Sequence, residues 1–258
     1  MNGEARACQR QMPTLPQVTL NRMHRRGILT ITSLYQELAM RRLATFLILA
    51  MLALGLPLAA SARGGDIDKV NGSVHVEAGQ QAGDVSTVNG AVHVDAGAVV
   101  RKASTVNGAV ELGDRAQASS LGTVNGAITL GDGSKVGGGV SAVNGSIRLG
   151  AGAEVQGKLG NVNGSITLDD AHVGGGIETV GGDITIGANS RVEGGILVDK
   201  PGGWFHFSSR LPLVVIGPHA VVQGTLEFKR EVVLKVSDSA QIGPVKGTTV
   251  VKFSGATP

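Results

Sequence analysis

From Val70 onward, apolar and polar positions recur with a fixed period. Val-Asn-Gly begins at Val70, Val88, Val106, Val124, Val143 and Val162, and a degenerate copy, Val-Gly-Gly, begins at Val180; the intervals are 18, 18, 18, 19, 19 and 18 residues. Four residues after each Val stands Val74, Val92, Val110, Ile128, Ile147, Ile166 or Ile184, and six after it Val76, Val94, Leu112, Leu130, Leu149, Leu168 or Ile186. The residue between is polar and variable: His75, His93, Glu111, Thr129, Arg148, Thr167 or Thr185. Apolar, polar, apolar is the period-2 signature of a strand with one buried face.

Two further apolar stops complete each unit. One falls twelve residues after the Val, at Ala82, Val100, Ala118, Val136, Val155 and Val192, with Val173 one place early in the sixth copy. The other falls at fifteen or sixteen, at Val85, Leu121, Val140, Leu159, Ile177 and Ile196. Each unit therefore predicts about three short strands joined by small-residue corners. A fixed period of this length predicts a solenoid. The expected fold is all-β, a single-stranded parallel β-helix of about 18 residues per triangular coil, with coils stacked about 4.8 Å apart. A helical reading fails on the glycine density, since each Gly inside a helix costs about 1 kcal/mol.

Asn71, Asn89, Asn107, Asn125, Asn144 and Asn163 fall in one column, each before a Gly. Asn and Gly tolerate left-handed backbone angles, which predicts a corner. Stacked Asn side chains also hydrogen-bond along a column. The pattern loosens after residue 187 but returns in 216–226 and 232–242 and in a final strand at 248–253. Nine or ten coils would make a rod about 45 Å long. An insertion at 201–212 carries Trp204, Phe205 and Phe207, three of the five Phe, Trp and Tyr residues of 63–258, with His206 among them. It reads either as a loop folded against the rod or as a contact patch, because clustered exposed aromatics mark interaction sites.

The N-terminal segment has a different pattern. Met40-Arg41-Arg42 precedes an uncharged run from Leu43 to Ala62, interrupted by Gly55 and Pro57 and ending Ala60-Ser61-Ala62. Charged start, apolar stretch, helix breaker and A-x-A end predict a signal peptide over 40–62, a signal helix cleaved after Ala62. The competing reading is an uncleaved anchor, since twenty uncharged residues just span a bilayer. Residues 1–39 then read as a disordered extension produced by an upstream start, with translation beginning at Met40. The β-solenoid domain occupies 63–258, and the mature protein is expected to be periplasmic or secreted and not embedded in a membrane.

Charge follows this division. Residues 1–62 hold seven of the 23 basic side chains and two of the 20 acidic ones, leaving 16 and 18, a net −2, for the body. No basic patch marks the body, so no nucleic-acid partner is expected. Cys8, the single cysteine, lies in the leader, and the body has neither disulfide nor thiol chemistry. Aromatic residues make up only 3% of the chain while 42% is hydrophobic, which fits an interior too narrow for rings and filled by β-branched side chains.

The phrases Ile-Gly-Ala-Asn-Ser-Arg-Val-Glu-Gly-Gly-Ile at 186–196 and Ile-Gly-Pro-His-Ala-Val-Val-Gln-Gly-Thr-Leu at 216–226 resemble the repeats of bactofilins, polymer-forming bacterial cytoskeletal proteins. The Val-Asn-Gly-[Ser/Ala]-[Val/Ile] units resemble those of a family of exported bacterial adhesin-like proteins. Together these likenesses cover about residues 65–247. The bactofilin likeness implies a right-handed coil and end-to-end assembly. The apparent export departs from bactofilins, which are typically cytoplasmic, and favours the adhesin-like group. Neither family supplies catalytic residues.

One polar constellation stands out on the outward positions: His75, Glu77, His93 and Asp95. Each His and acid lie two residues apart on one strand face, and the pairs lie one coil apart. Imidazoles and carboxylates are ligands for divalent metals. The next coil has Glu111 and Gly113 there, and outward faces are ordinarily solvated, so neither a metal nor any other cofactor is expected. The motifs G-x-S-x-G, H-E-x-x-H and the P-loop are absent from the sequence. The sixth-residue aliphatic spacing of hexapeptide acyltransferases is not kept on all three sides. The sequence thus predicts a non-catalytic structural or adhesive envelope protein. Its partners would be envelope glycans, proteins or other copies of itself. End-to-end scaffolding is the alternative and a polysaccharide-acting enzyme the outside reading.

Overall fold

The computed structural model describes residues 64–200, 210–255 and 257–258. The expected extension, the signal segment and the aromatic side chains Trp204, Phe205, His206 and Phe207 lie outside the described residues. All described regular structure is β, built of parallel strands stacked as a solenoid of about ten turns. Among the described residues no helix is long and apolar enough to cross a membrane.

The strands of three to five residues that follow each corner form one sheet of 10 strands, from Val74–Val76 to Val250–Phe253. Their register joins like to like: Val92 pairs with Val110, Val110 with Ile128, Ile128 with Ile147 and Ile147 with Ile166. Every one of these side chains is buried. The alternation read from the sequence therefore sets both the face and the register, since a one-residue slip would turn each aliphatic row toward water. Val173, one place early in sequence, still pairs with Val155 and Val192, so the short copy is absorbed at a corner.

The remaining two apolar stops share a second sheet of 16 strands. In the early turns they lie on one continuous strand of nine residues, as in Gln81–Asn89, Val99–Asn107 and Gln117–Asn125. From Lys135 on they separate into strands such as Lys135–Val136 and Val140–Asn144, with Gly137-Gly138-Gly139 between. Three short strands per turn were expected throughout. Where the bend has two residues, as at Arg101-Lys102 or Ser119-Ser120, one strand runs through it; where it has three, as at Gly137-Gly138-Gly139 or Gln156-Gly157-Lys158, the strand divides, although the amide of Gly157 still donates to the Gly138 carbonyl at 3.0 Å.

The core holds two more rows. Ala98, Ala116, Ser134, Ala153, Ala171, Ser190 and Ala220 are buried at one corner. Thr87, Thr105, Thr123, Ala142, Asn161, Thr179, Val198 and Phe228 are buried before the Asn column, and here the structure corrects the expectation that rings do not fit. Phe228 is buried, in register with Val198 below it. Leu226 and Glu227 pair with Val245 and Lys246, so the next place in the row is Gly247, which offers no side chain to compete for the space.

The two kinds of corner are made differently from the sequence-based expectation. At the Asn-Gly corner the positive φ falls on the glycine and not on the Asn, as at Gly72, Gly90, Gly126 and Gly164; among the described residues the non-Gly positions with positive φ are Arg115, Asp170, Asn189 and His219. These fall with Gly79, Gly97, Gly133 and Gly152 at the other corner, just before the buried small-residue row. At the Asn-Gly corner the glycine is required by close approach. A Cβ on Gly108 would stand 1.9 Å from the Gly90 carbonyl oxygen, and one on Gly145 1.7 Å from that of Gly126. Turns touch there backbone to backbone, and the amide of Gly90 donates to the Asn107 carbonyl at 3.0 Å, so bonding between turns continues through the bend.

Candidate functional site

The Asn column forms a side-chain ladder outside the core. The Asn89 amide donates to Asn71 Oδ1 at 3.0 Å, Asn107 to Asn89 at 3.0 Å and Asn125 to Asn107 at 2.9 Å. Asn144 donates to Asn125 and Asn163 to Asn144, each at 3.1 Å. Between the end members Asn71 and Asn163, each amide both donates and accepts along the column.

Behind the ladder lies a polar row that the sequence reading did not single out. The hydroxyls of Thr87, Thr105 and Thr123 donate to the carbonyls of Gly72, Gly90 and Gly108 at 2.9, 2.8 and 3.0 Å. Asn161, in the same row, donates to the carbonyls of both Gly145 and Gly164 at 2.9 Å. These groups serve the orphan carbonyls of the Asn-Gly corner from inside. The signal was present as Thr-Val-Asn-Gly in three units, but Ala142 and Asn161 break it.

Of the outward constellation, the structure gathers three members. His75 Nε2 lies 3.0 Å from Asp95 Oδ2 and 3.7 Å from Glu77 Oε2. The ligating atoms of His75, Glu77 and Asp95 all fall within 4.8 Å of one another. His93, paired in register with His75, turns instead to Glu111, its Nδ1 lying 2.9 Å from Glu111 Oε2. The two rings stand 6.2 Å apart, tilted by 48°. The sequence reading placed His93 in the cluster and passed over Glu111, because alternation gives the face of a side chain but not its rotamer.

Other charges are paired along outward columns. Arg101 binds Asp84 at 2.6 Å and Asp66 at 3.2 Å, spanning three turns. The Asp84 hydrogen bond and the two negative charges push its pKa above the ordinary arginine value. A second column places Lys135 against Glu154 at 3.4 Å, His172 between Glu154 at 4.0 Å and Glu193 at 3.2 Å, and Arg191 against Glu193 at 3.6 Å. Lys135 and Glu154 face each other in register, and Arg101 lies between two acids one turn apart, so these contacts offset like-charge repulsion along the stack.

One outward face carries no charge over five turns. Ser86, Ser104, Gly122, Ser141 and Gly160 stack in register. Beside them run the repeat valines Val88, Val106, Val124, Val143 and Val162, which lie outside the core; Val88 is exposed and the other four are half-buried. Nothing lies within 4 Å of a Cβ placed on Gly160, and the nearest atom to one on Gly122 is Ser141 Oγ at 3.7 Å. The column is therefore flat, with Ser104 and Gly122 themselves buried between their neighbours. Compared with protein-family models, with curated proteins and with solved structures, the chain finds no match.

Proposed function

We propose that the chain is an exported β-solenoid rod that serves as a structural or adhesive element of a bacterial envelope. In this reading the signal at 40–62 is removed after Ala62 and the mature rod winds as a right-handed triangular coil. The observation that carries it is the flat, uncharged Val/Ser/Gly face. It repeats one chemical group at every turn over about 20 Å, which suits repeated shallow contacts with an extended envelope polymer better than capture of a small molecule. Exported protein beginning at Arg63, found by N-terminal sequencing of fractionated cells, supports the first half. Retention of the protein on isolated cell-wall sacculi, lost on Val124→Lys or Gly160→Lys, supports the second. Full retention by both variants removes this face from the function.

A second reading is a polymer-forming scaffold. It is favoured by the edges of the stack: among the described residues nothing pairs with the outer edge of Val74–Val76 or of Val250–Phe253, and open parallel edges template further strands. Concentration-dependent filaments seen by sedimentation and electron microscopy support it, and a monomer at all concentrations rejects it.

A further inference from the structure

We propose that His75, Glu77 and Asp95 form a divalent-metal site of zinc type that ties the first turn of the solenoid to the second. Zinc held by imidazole nitrogen and carboxylate oxygen at about 2.0–2.2 Å in a tetrahedron requires donors roughly 3.3–3.6 Å apart. The separations from His75 Nε2, 3.0 and 3.7 Å, bracket that range, so small rotamer changes close the site without moving the backbone. All three side chains project from the solvent face, which leaves a fourth position to water.

A simple ion pair accounts for only part of this geometry. Nε2 carries at most one proton and serves one acceptor, yet two carboxylates converge on it. No Lys or Arg forms an ion pair with Glu77 or Asp95 among the described residues. A divalent cation neutralises both acids at once. His93 is engaged by Glu111 and stands beside the site rather than in it. The placement also has a mechanical sense. His75 and Glu77 belong to the turn of Val74–Val76, which pairs on one side only among the described residues, whereas Asp95 follows Val92–Val94 in the next turn. The metal would cross-link this terminal turn to its neighbour.

Zinc titration of the full chain by calorimetry, alongside His75→Thr, Asp95→Asn and His172→Thr variants, tests the site. Thr is the natural occupant of the His75 column at Thr129, Thr167 and Thr185, so His75→Thr keeps the strand. The expected result is binding that weakens about tenfold or more in His75→Thr and Asp95→Asn and is unchanged in His172→Thr. Zinc should also slow amide exchange in Val74–Val76 of the parent but not of His75→Thr. Absence of binding at millimolar zinc, or equal binding by parent and His75→Thr, overturns the proposal.

Discussion

At the scale of the residue, the hydroxyl of Thr123 shows how closely this core is specified. It is fully buried and donates to the Gly108 carbonyl one turn away. Valine has nearly the same shape, so Thr123→Val isolates the hydrogen bond from packing. Loss of a buried partner leaves the carbonyl unsatisfied, and we expect a cost of about 1–2 kcal/mol, read from the urea midpoint. Thr129→Val, on the outward side of its strand, should change the midpoint little; equal effects at both sites would refute the role given to the inner row. The Asn column was legible in the sequence because one residue type recurs at every turn. The Thr row was not, because Thr, Ala and Asn all satisfy the same place. His93 was misplaced for a related reason: its column was readable and its choice of Glu111 over Asp95 was not.

At the scale of the element, strands and corners carry information of different kinds. Strand positions were readable because burial selects Val, Ile and Leu at every turn. The left-handed corner escaped notice because it constrains a dihedral rather than a chemistry, and Gly97, Arg115, Asp170, Asn189 and His219 all hold it. The two corners should respond differently to a methyl group. Gly97 has φ +68 and nothing within 4 Å of a new Cβ, so Gly97→Ala should cost only the left-handed penalty, about 1–2 kcal/mol. At Gly126 a Cβ would stand 1.9 Å from the Gly108 carbonyl oxygen, within a paired backbone that cannot move aside. Gly126→Ala should therefore cost more than about 3 kcal/mol, comparable to other severe strain or packing defects. Chemical denaturation of the two variants measures the difference, and a smaller loss at Gly126 than at Gly97 would show that turns can separate at the Asn-Gly corner.

At the scale of the whole molecule, each turn touches only the turns above and below, so stability is a sum of turn and interface contributions that cooperativity spreads along the stack. An interior turn has two interfaces and a terminal one has one. Ile147 is wholly buried between Ile128 and Ile166, whereas Val251 is half exposed in the last strand. Ile147→Asp would place an unpaired carboxylate in an aliphatic row and break both interfaces, a loss beyond about 4 kcal/mol. Val251→Asp should leave the unfolding midpoint nearly unchanged. The same asymmetry should appear without mutation in native-state hydrogen exchange. Amides of Ile147–Leu149 should open only with global unfolding, and those of Val250–Phe253 by local fraying. Uniform protection from end to end would mean that the terminal turns gain a partner, and in concentrated protein that partner would be the open edge of another rod.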